Sequence, residues 1–317
     1  MVRYLRSTAL STAALVLLLA TDGTGGATAA LGAAPVAAVL SAAAPAPKTP
    51  APAPKTAAPK TPAPLPPTVL PDPGRAKLVA SQTVFTGSGF DACSAPSLDA
   101  MRAWRGASPY GAVGVYTSGR QRACPQNRLT KDWVRQVRAL GWRLLPTHVG
   151  RQAPCMAGAG KPQRIDPEKA VQQGRDEAGE AVRGVKALGL GPGTPVYLDL
   201  EAYPPGDAGC AKAVVDFTLG WTQALHNAGY FAGFYSSLDS GVADLAAAAR
   251  AGAAPLPDAV WYARWDGRTS TDGGGTIDPD QWSGHRRVHQ HRGDVTEKYA
   301  GVELTIDRDQ LDTLVAR

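Results

Sequence analysis

The clearest hydrophobic pattern in this chain is a run of apolar residues that ends in two acids, PVYLDLE at residues 195–201. Side chains alternate between the two faces of a strand, so Tyr197, Asp199 and Glu201 are predicted to share one face. The pattern therefore predicts a buried strand with two neighbouring carboxylates at its end. An exposed strand end with solvated acids would give the same pattern, and this segment alone does not separate the two.

Similar short apolar runs predict eight strands in total. They lie at residues 89–92, 112–117, 143–149, 195–201, 231–236, 259–265, 287–291 and 303–307. Helical patterns with cap residues at the start and glycine at the end lie between several of them. One is capped by Thr130 and ends at Gly141, another opens at Asp166 and ends at Gly189, and a third covers residues 211–227.

Strands that alternate with helices indicate parallel strands joined by right-handed crossovers. Eight strands within residues 75–317 favour a (β/α)8 TIM-like barrel, which typically takes about 250 residues. No glycine-rich phosphate loop follows the first strand, which counts against an open dinucleotide-binding sheet. Residues 266–285 are a Gly/Asp/Thr-rich stretch without a clear helix, so we expect degraded crossovers in the last third.

The N-terminal region predicts export. Arg3 and Arg6 precede an apolar run at residues 9–20 and a series of small residues, so residues 1–30 are predicted to be a secretory signal peptide. The run is shorter than the roughly 20 residues that span a bilayer, so no stable membrane anchor is expected, and a twin arginine is absent. We expect a secreted, extracellular or cell-wall-associated protein.

Residues 31–74 are dominated by Ala, Pro, Thr and Lys, a composition typical of a disordered spacer. This leaves residues 75–317 as one folded domain, and a spacer followed by one domain suggests a monomer. Residues 1–74 carry five basic and two acidic residues, so half of the net charge of +6 lies before the domain. The domain is only mildly basic and has no nucleic-acid-binding motif, so no nucleic acid partner is expected.

Acidic residues are predicted to meet at one end of the barrel. In such barrels the chemistry lies at the carboxyl ends of the strands, where Asp91, Asp199, Glu201, Gln290 and Asp307 are expected. A lone aspartate is more often a cap or turn residue, but several on one face suggest a site. Paired carboxylates are what cleavage of a glycosidic bond requires.

Aromatic residues near the same rim could stack on sugar rings. The candidate substrate-binding residues are Tyr116, Tyr203, Tyr235, Trp265, Trp282 and the amide Gln290. The tryptophans placed in helices or at helix ends are expected in the core, and they are Trp104, Trp133, Trp142 and Trp221.

Histidines offer a competing chemistry, because His289 and His291 have a spacing that can bind a metal and His148 ends the third strand. If Gln290 faces the barrel interior, however, its two histidine neighbours face the helices. We therefore expect no metal site and no cofactor.

The four cysteines are expected to form disulfides, because their number is even and the chain is predicted to be secreted. Four cysteines allow three pairings. Each follows one of the first four strands, and neighbouring loops pair most easily, so the favoured pairs are Cys93 with Cys124 and Cys155 with Cys210.

Five short motifs resemble those of a known family. They are GFDACSAPS at 89–97, YLDLE at 197–201, WYARW at 261–265, HQH at 289–291 and TID at 305–307. The chain resembles, over residues 85–313, the secreted actinobacterial proteins with a glycoside-hydrolase-like domain, formerly of unknown function. It is more distantly similar to the family 25 lysozymes of glycoside hydrolases.

The resemblance implies a hydrolase that acts on a cell-wall-type polysaccharide such as peptidoglycan. In the lysozyme-like barrels the glutamate of the Asp-x-Glu strand is the general acid. This implies that Glu201 is the acid, that Asp199 assists it and that Asp91 and Asp307 support them. Crowding of carboxylates would raise the pKa of one acid towards neutrality. The HQH motif differs from the aromatic-rich version in the lysozymes, and the alternative is a non-catalytic glycan-binding or wall-associated module that uses the same cleft.

Overall fold

The computed structural model describes residues 66–78, 82–158 and 160–316. The predicted signal peptide and residues 31–65 of the predicted spacer lie outside the described residues. The strands are β1 (Val84–Asp91), β2 (Ala112–Ser118), β3 (Arg143–Val149), β4 (Pro195–Asp199), β5 (Phe231–Ser237), β6 (Ala259–Ala263), β7 (Arg287–Tyr299) and β8 (Val302–Leu314). The α-helices are α1 (Leu98–Trp104), α2 (Lys131–Ala139), α3 (Ala170–Ala187), α4 (Ala208–Asn227) and α5 (Gly241–Arg250), and the short 3-10 turns are Pro73–Lys77 and Pro167–Lys169.

The eight strands form a closed barrel in chain order, which confirms the predicted α/β barrel. A helix follows each of the first five strands, whereas no helix within the described residues separates β6, β7 and β8. The predicted irregularity of the last third is therefore confirmed.

The last strand runs in the opposite direction from the one expected. β8 is antiparallel to both β7 and β1, while the other neighbouring strands are parallel. The cause is a two-residue turn, Ala300-Gly301, which reverses the chain direction directly after β7. Its residues have φ values of 46° and 81°. The expectation of parallel strands throughout is wrong for β8, and Asp307 lies in the middle of that strand rather than at its end.

The predicted alternation of β4 is confirmed by its two environments. Tyr197 lies inside the barrel, where its hydroxyl donates to the carbonyl of Leu314 at 2.8 Å. Val196 and Leu198 face the helices and join the larger core layer. That layer also holds the four tryptophans expected in the core, Trp104, Trp133, Trp142 and Trp221.

Residues 66–78, which we call the N-terminal strap, pack against α4. The backbone N–H of Leu70 donates to the carbonyl of Ala254 at 2.8 Å, and Gln223 donates to the carbonyl of Pro71. Gly74 is buried where an added Cβ would lie 2.3 Å from the backbone of Asn227. Residues before position 75 thus contact the barrel domain.

Two disulfides tie the loops at the carboxyl ends of the strands. They join Cys93 to Cys124 and Cys155 to Cys210, the favoured pairs. Cys210 lies in the first turn of α4 rather than in a loop. In the part of the chain that the structure describes, no helix is long and apolar enough to cross a membrane.

Candidate active site

The first and last strands bring two of the predicted acids together. Asp91 is the last residue of β1, and Asp307 is its direct partner on antiparallel β8. The hairpin formed by β7 and β8 extends beyond the barrel rim at this point. Its residue Asp294 donates a backbone N–H to Asp307 Oδ1 at 2.7 Å, so the hairpin also holds the carboxylate in place.

The other two acids follow β4, and a buried glutamine fixes them. Asp199 is the last residue of the strand, and Glu201 lies two residues further on. Gln152 accepts a hydrogen bond from the Glu201 backbone N–H at 2.8 Å and donates to the Asp199 carbonyl at 3.1 Å. Because Gln152 is fully buried, its two hydrogen bonds fix the backbone that carries both acids.

These acids line one cleft of about 280 Å³. Its lining residues are Asp91, Ala92, Cys93, Tyr116, Arg122, Ala123, Val149, Lys161, Asp199, Glu201, Asp294, Thr305, Ile306 and Asp307. Asp199 is almost completely buried, whereas 37% of the Glu201 side chain is exposed. Glu201 is therefore the member of the acid pair that a bound molecule can reach most easily.

Gln290 connects the acids to the aromatic rim. Its Nε2 donates to Asp91 Oδ2 at 2.9 Å, and its Oε1 accepts from the Tyr235 hydroxyl and from Trp265 Nε1, both at 3.1 Å. Tyr116 donates its hydroxyl to the other oxygen of Asp91 at 2.8 Å. Predicted residues from five strands or strand ends thus form one hydrogen-bonded network.

Burial and mutual repulsion raise the pKa values of several carboxyls in this network. Burial, and then the charge of Asp307, raise the pKa of Asp91 to about 7. Burial, and then the charge of Glu201, raise the pKa of Asp199 to about 8. Burial also raises the pKa of Asp307. Near neutral pH the site therefore holds a protonated Asp199 and an Asp91 that exchanges its proton readily.

Trp265 forms an exposed apolar surface beside the acids. Its side chain is 60% exposed and lies across Gly293, where an added Cβ would be 2.0 Å from the ring. Only glycine at position 293 allows this packing. The indole therefore packs on the hairpin and keeps a large exposed apolar surface, which suits a sugar ring.

Two predicted substrate-binding residues lie elsewhere. Tyr203 is buried in the core and donates its hydroxyl to Asp244 at 2.6 Å. Trp282 lies before β7, at the opposite end of the barrel, where its Nε1 donates to the Pro257 carbonyl. Their positions next to strands 4 and 7 suggested the rim, but the backbone beyond Glu201 turns Tyr203 inward and Trp282 belongs to the loop that enters β7.

Sequence reasoning missed several polar residues of the site, Gln152 and Arg122 among them. Lys161 Nζ contacts Glu201 Oε1 and lies 3.8 Å from Asp199 Oδ1. Asp294 lines the cleft, and Asp309 lies inside the barrel with Trp261 Nε1 donating to it at 3.0 Å. Asp309 follows Asp307 by two residues, and the alternation of β8 could have identified it.

His289 of the HQH motif has structural partners, whereas the buried Nδ1 of His291 has no hydrogen-bond partner. The ring nitrogens of His289 lie 2.8 and 2.9 Å from the carbonyl oxygens of Ser270 and Arg264, away from the barrel interior. His148 contacts Ser118 and Glu177. Within the described residues, no group of three or more His, Cys, Asp or Glu side chains is arranged to hold a metal ion.

Comparisons with known proteins give one family and several similar folds. The family model described as "Rv2525c-like, glycoside hydrolase-like domain" matches residues 102–311, which include Asp199, Glu201 and Asp307 but not Asp91. A comparison with curated protein sequences finds no match.

Solved structures with a similar barrel include those of three proteins. The Tat-secreted protein Rv2525c of Mycobacterium tuberculosis is 16% identical, with 72% of this chain and 96% of that chain covered and a TM-score of 0.49. A B. stearothermophilus protein is 18% identical, with 72% and 99% covered and a TM-score of 0.46. A muramidase from Acremonium alcalophilum is 16% identical, with 71% and 92% covered and a TM-score of 0.41. No assignment of residues follows from similarities at this level.

Proposed function

Because the chain belongs to the Rv2525c-like, glycoside hydrolase-like domain family, we propose that it hydrolyses a cell-wall-type polysaccharide such as peptidoglycan. One observation carries this proposal: four carboxylates from β1, β8 and the end of β4 line a single open cleft. Glycosidic bond cleavage requires two such groups, one that gives a proton and one that stabilises the developing positive charge.

Glu201 is proposed as the general acid. It is the more exposed of the two acids after β4, and its backbone is fixed by Gln152. In the reaction Glu201 gives its proton to the glycosidic oxygen, the bond from that oxygen to the anomeric carbon breaks, and positive charge develops on the sugar ring.

Asp199 is proposed to position the substrate. Its Oδ1 is buried and has no hydrogen-bond partner, and it lies at the cleft next to Glu201. A buried polar atom without a partner is costly, and the acetamido N–H of an N-acetylated sugar would satisfy it. The carbonyl oxygen of that acetamido group could then attack the anomeric carbon, and water would open the resulting ring. Asp91 and Asp307 would support the charge on the far side of the cleft.

The aromatic rim supports glycan binding. Trp265 offers an exposed indole face, and Tyr116 and Tyr235 hold hydroxyls against the acid network. The predicted signal peptide and spacer support a secreted protein whose domain works at the cell wall, as a monomer, without nucleic acid or a membrane anchor.

The second candidate function is a non-catalytic glycan-binding module. It is favoured by the contact of Lys161 with Glu201, because the ammonium group occupies the carboxyl that a general acid needs free to reach the glycosidic oxygen. In this case the same cleft and Trp265 would bind the polysaccharide without cleaving it.

The deciding experiment measures reducing ends released from insoluble peptidoglycan and from neutral N-acetylated glycans. We expect release by the natural protein and a loss of roughly 100-fold or more in Glu201→Gln. Glu168→Gln, an exposed glutamate outside the cleft, serves as the matched control. If neither the natural protein nor the variants release reducing ends, but all of them pellet with the wall material, the binding module is the correct function.

A further inference from the structure

Lys161 places an ammonium group among the carboxylates of the cleft. Its side chain is only 14% exposed, and its Nζ contacts Glu201 and lies 3.8 Å from Asp199. Lysine side chains are rarely buried to this extent without a specific partner. Lys161 is therefore part of the site rather than a surface lysine that happens to lie nearby.

The loop between β3 and α3 holds Lys161 in this position. Gln152 and Gln163 pair through their backbones at 3.0 Å, and the Gln121 side chain both accepts from the Gln163 N–H and donates to its carbonyl. The disulfide between Cys155 and Cys210 anchors the same loop to α4. The loop is therefore anchored both before and after Lys161, by the disulfide at Cys155 and by the hydrogen bonds of Gln163.

The ammonium group needs one negative partner in the cleft. Lys161 Nζ contacts Glu201 directly and lies 3.8 Å from Asp199, so Glu201 is the carboxylate that pairs with Lys161. When Glu201 turns to the glycosidic oxygen of a substrate, Lys161 loses that partner. An unpaired charge in a largely buried site is costly, so another anion has to take the place of Glu201.

We propose that Lys161 selects glycans that carry a carboxylate beside the scissile bond. The carboxylate of the glycan replaces Glu201 as the partner of the ammonium group, and Glu201 is then free to contact the glycosidic oxygen. Binding of the anionic substrate and release of Glu201 from the lysine become one event. This inference rests on the proposed function for its second half, whereas the recognition of a carboxylate is independent of turnover.

The other cation at the cleft is a weaker candidate for this role. Arg122 donates from Nε to the Gly119 carbonyl at 3.0 Å and from Nη1 to the Tyr116 carbonyl at 3.2 Å. Its guanidinium is therefore already held by the backbone. Lys161, in contrast, contacts only carboxylates of the cleft, which the carboxylate of a bound glycan can replace.

The test compares two forms of one peptidoglycan oligosaccharide, with its lactyl carboxylates either free or reduced to primary alcohols. Calorimetric titration of the full protein gives both affinities, and reducing ends are followed in the same samples. We expect the natural protein to bind the carboxylated form roughly tenfold more tightly, as for one charge-assisted hydrogen bond. In Lys161→Met this preference disappears, whereas it persists in the control Lys169→Met, whose side chain is 71% exposed and outside the cleft.

A second variant tests the exchange of partners without depending on the folding of Lys161→Met. In Glu201→Gln the ammonium group has lost its competing carboxylate, so the preference for the carboxylated form should increase severalfold over the natural protein. Equal affinities of the natural protein for the two glycans, or a preference unchanged in Lys161→Met, would overturn the inference. If the preference behaves as expected but no reducing ends appear, the inference on recognition holds and hydrolysis fails.

Discussion

Asp309 carries a carboxyl group inside the barrel, where its hydrogen-bond donor is the Trp261 indole and not a cationic side chain. Burial, and then the charge of Asp91, raise its pKa well above the ordinary value, and the Trp261 indole donates to it. In the unfolded chain Asp309 ionises near pH 4. Its contribution to stability is therefore present at low pH and is lost as the pH rises towards the pKa of the folded state, at about 1.4 kcal/mol per pH unit.

Asp309→Asn should remove this loss of stability at higher pH. The amide keeps an oxygen that accepts from Trp261 and cannot ionise, so we expect a higher melting temperature for the variant at pH 8 and little difference at pH 4. Thermal unfolding of both proteins at the two pH values measures the effect. Equal destabilisation by Asn at both values would show that Asp309 is ionised in the folded state.

The raised pKa of Asp199 predicts an alkaline limit for the proposed reaction. Below about pH 8 the group is protonated and uncharged, and above that value it adds a second negative charge 3.8 Å from Lys161. We expect reducing-end release to fall as the pH rises through about 8. In Asp199→Asn this alkaline decline should be absent, even if the overall rate is lower, and a profile of rate against pH from 5 to 9.5 gives the comparison.

At the scale of elements, the sequence predicted strands and helices well but not the direction of the last strand. Alternation in β4, the Thr130 cap of α2 and the Asp166 cap of the 3-10 turn before α3 are local patterns, and the structure follows them. The reversal before β8 depends on Ala300 and Gly301 adopting positive φ, and alanine seldom does so. Asp307 nevertheless reaches the site, because antiparallel pairing with β1 aligns it directly with Asp91.

The same turn predicts a stabilising substitution. An L-residue with a side chain such as that of Ala300 loses about 1 kcal/mol in the left-handed region, and asparagine tolerates that conformation better. We expect Ala300→Asn to raise the free energy of unfolding by roughly 0.5 to 1 kcal/mol, as measured by urea denaturation. Ala300→Val, with a branched side chain, should lower it. An asparagine variant that is less stable than the natural protein would contradict the two-residue turn.

At the scale of the whole molecule, the acids and four of the six substrate-binding candidates could be predicted, because they lie on strands or at strand ends and the barrel brings these together. Lys161 could not be predicted, because it lies in a loop without periodicity. Its contact with Glu201, forty residues away, depends on how that loop is anchored to the barrel. The N-terminal strap was missed for a similar reason. Its proline-rich composition resembles that of the spacer, and its contacts to α4 come from residues about 150 positions away.

His226 joins this strap to the bottom of the barrel. It is fully buried, with Nδ1 2.8 Å from Asp72 of the strap and Nε2 2.8 Å from Asp258. Burial lowers the pKa of His226, but the two carboxylates outweigh it and the net pKa is raised. Burial likewise opposes the ionisation of Asp258, but the hydrogen bond to His226 outweighs it and the pKa of Asp258 is lowered.

These shifts set the pH range in which the strap is held. The contribution of His226 is complete below about pH 6.5, the value of the unfolded chain, and is lost as the pH rises through the raised pKa of the folded state. The contribution of Asp258 is present above about pH 4 and is lost as the pH falls through its lowered pKa. His226 and Asp258 therefore hold the strap most strongly between about pH 4 and 6.5.

Asp72→Asn should weaken the attachment of the strap most between about pH 4 and 6.5. It replaces one of two carboxylates that face a protonated imidazole, so we expect trypsin to cut after Arg75 or Lys77 roughly tenfold faster than in the natural protein at pH 6, a value at which His226 is charged. At pH 9 the imidazole has lost much of its charge, and the two cleavage rates should converge.

Asp99→Asn, which removes an exposed aspartate paired with Arg102 on α1, is the matched control and should leave both rates unchanged. A ratio of rates that is the same at pH 6 and pH 9 would mean that the strap is held by packing on α4 and not by the charge of His226.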